Sequence, residues 1–274
     1  MTPAPLHVPA GLNATLVLVR HGESTFIAEG RFQGRLDPPL SPLGIRQAGL
    51  VADRLARSDA ANPLPIPGGP PLAIWHSPLA RAAATARAIA DAQGPHAAIN
   101  AVEALTEIAQ GDWEGLPIAE VKARFGPELA AWRRTPATNY APGGEALVDA
   151  ATRVSGALSA IVAELAATTG KVASRERDPV PGYPGAALAD GTRGDPWAVL
   201  VAHDGIFRLA LLTLLGVSLE RFWSFPFNLC AITVVALHEG VAVLRAHNLS
   251  DHLEPLALEA HAAAEAVGDR RGAL

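Results

Sequence analysis

The feature that most constrains this chain is the run Thr15-Leu-Val-Leu-Val19, apolar and rich in β-branched residues, which passes without transition into Arg20-His21-Gly22. A run this short, with no polar face, predicts a strand buried on both sides, as in a parallel sheet. Such a strand delivers whatever follows it to the C-terminal edge of the sheet, where open α/β folds gather their ligands. The pattern recurs: Leu72-Ala-Ile-Trp75 predicts a second strand and Trp197 to Ala202 a third. Ser41-Pro42, Ser77-Pro78 and Gly205 each open a helical pattern, running to about Ser58, about Gln93 and near Gly216. Serine followed by proline places an N-cap before the first helical position, where a missing N–H costs nothing.

Strands alternating with helices predict an α/β three-layer sandwich, with a mostly parallel central sheet and helices on both faces. Further helical patterns cover 118–125, 127–134 and 145–167, and Ile232–Leu237 with Val241–Arg245 predicts a terminal hairpin turning at Glu239-Gly240. With 274 residues, 49% of them apolar, the chain can fill one large core. We read a single domain over 1–274, its core spanning about 14–254. The stretch 168–196, rich in Gly, Pro, Asp and Arg and without periodicity, reads as a mobile surface insertion. Residues 62–71 read as a loop, and the tail beyond about Pro255 as frayed.

Composition narrows the function classes. A single cysteine, Cys230, leaves no internal disulfide and no CxxC site, which favours a cytoplasmic location and a packed role for the thiol. No signal peptide is expected, because Pro3, Pro5, His7, Pro9 and Gly11 interrupt the N-terminus. No membrane span is expected either, since the apolar stretch 197–219 carries His203, Asp204 and Arg208. A formal charge of -5 with no long basic run gives no footprint for nucleic acid or an anionic membrane. A homodimer is the prior for the assembly.

The chemistry-bearing residues sit just past the predicted strands: Arg20 and His21 after the first, Arg81 one helical turn into the helix after the second, and His203 after the third. Their convergence on one sheet edge predicts an anion pocket. Phosphoryl transfer needs mainly positioning and neutralisation of spread negative charge, which arginine forks supply without a metal. The other histidines show no metal-ligand spacing, so neither a metal nor a cofactor is expected. Trp113 is expected to pack a loop rather than bind substrate.

Several ordered motifs carry a resemblance. Leu18-Val-Arg-His-Gly-Glu-Ser24 resembles the opening signature of the histidine phosphatase, or phosphoglycerate mutase-like, superfamily. Gly30-Arg-Phe-Gln-Gly34, Ser77-Pro78-Leu79-Ala-Arg81, Leu105-Thr-Glu107, Pro142-Gly-Gly-Glu145 and Val201-Ala-His203-Asp-Gly205 follow in that family's order. The resemblance implies a phosphoglycerate mutase-like fold and makes His21 the nucleophile, its imidazole held by a backbone carbonyl near Gly22. It implies that Arg20, Arg81 and His203 clamp the phosphoryl group and that Glu107, its pKa raised, is the proton donor. Gly22, Ser24, Gln33 and Asp204 fall at positions implied to lie against phosphate or leaving group. Two residues depart from the family pattern: Ile27 stands where many relatives have asparagine, and Asp204 where glycine is commonest.

The resulting expectation is a metal-independent phosphomonoester hydrolase acting on a small phosphorylated metabolite through phosphohistidine. Gly111-Asp-Trp-Glu-Gly115 resembles the phosphatase branch rather than the Arg-Tyr-Gly-Gly segment of mutases, and lysine is limited to Lys122 and Lys171. A cofactor-dependent phosphoglycerate mutase and a catalytically silent phosphate-binding module are the alternatives. Trp132, Tyr140 and the segment 222–227 form either an apolar cap over the site or ordinary packing.

Overall fold

The computed structural model describes residues 6–57, 63–94, 97–169 and 195–259. The sequence-predicted insertion lies almost entirely outside these residues, as do 58–62 and the tail from 260. Six strands form one sheet in the order β3-β2-β4-β1-β5-β6. They are β1 (Asn13–Arg20), β2 (Ala73–His76), β3 (Ala98–Ala101), β4 (Trp197–Ala202), β5 (Ile232–His238) and β6 (Val241–Leu249). The first four in spatial order are mutually parallel, while β5 runs antiparallel to β1 and β6 antiparallel to β5.

The helices that accompany them include α1 (Thr25–Ala28), α2 (Pro42–Ala56), α3 (Ala80–Gln93), α4 (Ile118–Arg124), α5 (Gly126–Arg134), α6 (Leu147–Thr169) and α7 (Asp204–Leu214). The apolar run of β1 divides by the two-residue period of a strand. Leu16 and Leu18 join the core formed with α6 and α7, through Leu158, Phe207 and Leu211 among others. Val17 and Val19 face the opposite core, with Val51 and Leu55 of α2 and Ala86 and Ile89 of α3. This is the expected three-layer arrangement. A third, smaller cluster of Trp113, Val121, Leu129 and Ala141 fixes α4 and α5 outside the sandwich.

α6 is the one described helix whose length and apolar composition would suffice to cross a bilayer, and its Leu147, Val154, Leu158 and Leu165 are buried in the core against α7. Ser41 caps α2 through a bond from the Gly44 amide, with proline following as expected. Ser77 does not start α3, which begins at Ala80 after Leu79. The Ser77 hydroxyl instead accepts from the Leu79 amide at 3.3 Å and faces the site. Cys230 is buried in the turn before β5, where burial pushes its thiol well above the ordinary range.

Candidate active site

Sheet register builds the centre of the site. Arg20 of β1 is level with Ala202 of β4, and His76 of β2 is level with Val201. The ladder continues one residue past the strands: the His21 amide donates to the Ala202 carbonyl (3.0 Å) and the Ser77 amide to Val201 (2.9 Å). His21, Ser77 and His203 therefore leave three adjacent parallel strands side by side. The two imidazoles meet edge to face with centroids 5.0 Å apart, and both are fully buried.

His21 is oriented by its own chain. Its Nδ1 lies 2.6 Å from the Gly22 carbonyl, which can only accept, so Nδ1 carries the proton and Nε2 keeps its lone pair. Nε2 faces Arg81, whose Nε lies 3.3 Å away. The Gly22 amide donates to the Thr85 hydroxyl (3.2 Å), and that hydroxyl donates to the Arg81 carbonyl (2.8 Å). Both peptide groups of Gly22 are thus engaged in holding His21 and joining it to α3. Gly22, expected against phosphate, here meets the Thr85 hydroxyl with its N–H and holds His21 with its carbonyl. A side chain at Gly22 has no space: an added Cβ would lie 2.5 Å from the Gly44 carbonyl oxygen of α2.

Arg81 is fully buried, and its two terminal nitrogens donate to the carbonyls of Leu36 (2.8 Å) and Gly34 (3.0 Å). Arg20 reaches the Phe227 carbonyl at 2.6 Å, while its buried Nε has no hydrogen-bond partner among the described residues. His203 shares a 2.8 Å bond through Nε2 with the Ser77 hydroxyl, and its buried Nδ1 has no hydrogen-bond partner among the described residues. Arg81 thus meets the lone pair of His21, the His203 ring lies edge to face with it, and the Arg20 charge acts on it.

Electrostatics matches that geometry. Burial, followed by the charges of Arg81 and Arg20, holds His21 well below the usual imidazole range, against the opposing bond to Gly22. Burial, then His21, Arg81 and Arg20, lowers His203 similarly. Both rings are neutral at ordinary pH, so His21 Nε2 is available as a nucleophile. Burial also lowers Arg81, but from a starting point so high that the guanidinium stays protonated.

Glu107 approaches from the loop after β3. Its carboxylate accepts from the Ile108 amide (2.9 Å) and from the Gly205 amide (3.4 Å) in the first turn of α7. Desolvation by the surrounding protein raises its pKa and the Asp204 charge adds to this, while the Ile108 bond acts against it. Glycine at 205 makes the approach feasible, since a Cβ there would stand 2.7 Å from Glu107 Oε1.

Ser24, fully buried, lies beside Gln33. The Ser24 hydroxyl donates to the Gln33 side-chain oxygen and caps α1 by accepting from the Ile27 amide (3.2 Å). The side chain of Ile27 contributes no polar group, and only its backbone enters this arrangement. Asp204 forms an ion pair with Arg208 one turn along α7, Nε to Oδ2 at 2.9 Å. A carboxylate has no proton to offer an anion. Asp204, expected against phosphate or leaving group, pairs its side chain with Arg208, and its charge acts on Glu107. Trp113 is fully buried, as expected, edge to face with Phe32 and Trp132; Trp132 in turn meets Trp223. Among the described residues no group of three or more His, Cys, Asp or Glu side chains is placed to hold a metal ion.

The model of the histidine phosphatase superfamily (branch 1) matches residues 16–174 and 186–250. The chain belongs to the histidine phosphatase superfamily. Similar members include phosphoserine phosphatase 1 of Hydrogenobacter thermophilus, 30% identical over 248 residues, or 90% of this chain and 98% of that one. Glucosyl-3-phosphoglycerate phosphatase of Mycolicibacterium vanbaalenii is 33% identical over 208 residues, covering 76% of each chain. Among solved structures, a mycobacterial glucosyl-3-phosphoglycerate phosphatase in complex with VO3 superposes with a TM-score of 0.66 at 28% identity, covering 86% of this chain and 99% of that one. This member of the superfamily is a phosphomonoester hydrolase, as the family and its phosphatase-named relatives show. Sequence reasoning did not single out Thr85, which lies one turn beyond Arg81, or Gly205, although both fall within its motifs. It also missed Arg153, which lies outside every motif.

Proposed function

We propose that the protein hydrolyses a small phosphorylated metabolite through a phosphohistidine on His21. The observation that carries this reading is the orientation of His21, with Nδ1 on the Gly22 carbonyl and Nε2 facing Arg81 Nε at 3.3 Å beside the edge-to-face ring of His203. In the first step Nε2 forms a bond to phosphorus as the ester P–O bond breaks, and protonated Glu107 gives its proton to the departing oxygen. In the second, ionised Glu107 takes a proton from water, whose oxygen attacks phosphorus. Inorganic phosphate leaves and Nε2 recovers its lone pair. Arg20 and Arg81 stabilise the phosphoryl oxygens throughout by charge-assisted bonds.

Phosphoserine and glucosyl-3-phosphoglycerate, the substrates that the relatives' names indicate, are both esters of aliphatic alcohols. We infer the same class here, with an alkoxide leaving group that needs a proton. The test is turnover of an aryl phosphate and of phosphoserine in chelator by the wild type and by His21→Ala, together with acid-labile phosphate labelling. Chelator-insensitive turnover and labelling, both lost in His21→Ala, are expected. Turnover retained in His21→Ala would overturn the mechanism, and bisphosphoglycerate-primed mutase activity without hydrolysis would overturn the hydrolase reading.

A further inference from the structure

The loop that carries Glu107 has little structure of its own, only a single turn of 3-10 helix over Glu103–Leu105 before it. Its carbonyls are gathered by a residue far away in sequence. Arg153, on α6, donates from one terminal nitrogen to Ala104 O (2.8 Å) and Thr106 O (2.6 Å), and from the other to Glu107 O (3.3 Å). Its remaining donors go to Glu145, Nε to Oε1 and a terminal nitrogen to Oε2, both at 2.8 Å. All five N–H groups of the guanidinium are therefore used.

Glu145 grips the other side of the loop. Its amide donates to the Ala109 carbonyl (3.0 Å), and its Oε2 accepts from the Ala109 amide (3.3 Å). Arg35, half-exposed at the mouth, adds a bond to Glu107 O (3.3 Å) and lies 3.2 Å from Glu145 Oε1. Burial would raise the Glu145 carboxyl, but the bonds and charge of Arg153 and the charge of Arg35 outweigh it and hold the group below the usual range.

Resting on the reading of Glu107 as proton donor, we propose that Glu145 and Arg153 are positioning residues: they clamp the chain on either side of Glu107 and so hold its carboxyl against the leaving oxygen. Neither is a catalytic residue. A proton donor that is misplaced costs most where the leaving group most needs the proton, which separates positioning from a general loss of structure.

The experiment compares kcat/KM for 4-nitrophenyl phosphate and 4-methylphenyl phosphate, whose phenols differ in acidity but little in size, across wild type, Glu107→Gln, Glu145→Gln, Arg153→Gln and Arg153→Lys. Thermal unfolding is followed in parallel. Arg153→Gln and Glu145→Gln should lose at least about tenfold more on the 4-methylphenyl ester than on the 4-nitrophenyl ester, in the same sense as Glu107→Gln. Arg153→Lys keeps the charge but not the planar fork, so it should recover stability better than it recovers that ratio. Where Arg153→Gln fails to fold, Glu145→Gln carries the test, because it retains the backbone bond to Ala109. An equal loss on both esters, or none, overturns the clamp while a selective loss in Glu107→Gln leaves the hydrolase mechanism standing. An equal loss in Glu107→Gln removes Glu107 as donor, and the clamp with it.

Discussion

At the residue scale, the buried histidines make the site's protonation testable. A solvent-exposed imidazole gains its proton near pH 6.5. His21 and His203, both lowered well below that value, should show ring NMR signals that do not titrate through this range, and a His21 titration near pH 6.5 would refute its depressed pKa. The same shifts act on stability. Between the depressed folded pKa values and about 6.5 the unfolded chain binds more protons than the folded one, so stability rises with pH across that window and is lost as pH falls. Each buried histidine contributes a slope of up to about 1.4 kcal/mol per pH unit there, readable from urea unfolding between pH 7 and 5. Glu107 has the opposite sign. Its raised pKa keeps it protonated above the usual carboxylate range, so turnover of an alkyl phosphate should fall as pH rises through that pKa. Glu107→Gln should remove this limb of the pH profile.

At the element scale, the close contact of α2 with the turn after β1 is a mechanical constraint on the nucleophile. An added Cβ at Gly44 would stand 1.9 Å from the Glu23 carbonyl oxygen, a backbone atom that cannot rotate away. Gly44→Ala is expected to destabilise the fold by about 1–3 kcal/mol and to depress kcat, because relief requires moving the Gly22–Glu23 segment that orients His21. Chemical denaturation and turnover on one aryl phosphate check both effects.

Elements were legible in sequence where one physical signal dominated. The buried strands β1, β2 and β4 were marked by unbroken apolar runs, and α2 by its Ser-Pro start. β3 was not, because Ala98–Ala101 is a largely exposed edge strand of only four residues, too short for a period to show. Ser77-Pro78 looked like a helix start, yet Ser77 is spent on His203, a tertiary contact that no local pattern encodes. The C-terminal strand β6 runs four residues past the expected Arg245, to Leu249, across a register shift in its pairing with β5. A bulge of that kind breaks the alternation by which strands are read.

At the scale of the whole molecule, two separate cores support one site, and the α6–α7 side bears the larger load. Leu158→Ala, at a fully buried position on α6, should cost about 2–5 kcal/mol. It should leave the ratio of the two aryl phosphate rates unchanged, because it removes packing without touching the Glu107 loop. Denaturant midpoints together with that ratio check it. The phosphate-facing residues were legible because each follows a strand or opens a helix within a recognisable motif. The parts that orient them were harder to read, since Arg153 lies mid-helix among residues chosen for the core, and its partners are backbone carbonyls that any sequence would supply.

The strand order has a consequence for how the protein comes into being on the ribosome. β4 lies between β1 and β2, so until residues 197–202 emerge the two strands that carry His21 and Arg81 have no edge to share. Residues 1–196 carry Arg20, His21, Arg81 and Glu107 but not His203, and β1 and β2 are joined only through β4. Insertion of β4 between β1 and β2 is thus the step that brings nucleophile and clamp together, and the inner edges of both strands stay open until it occurs.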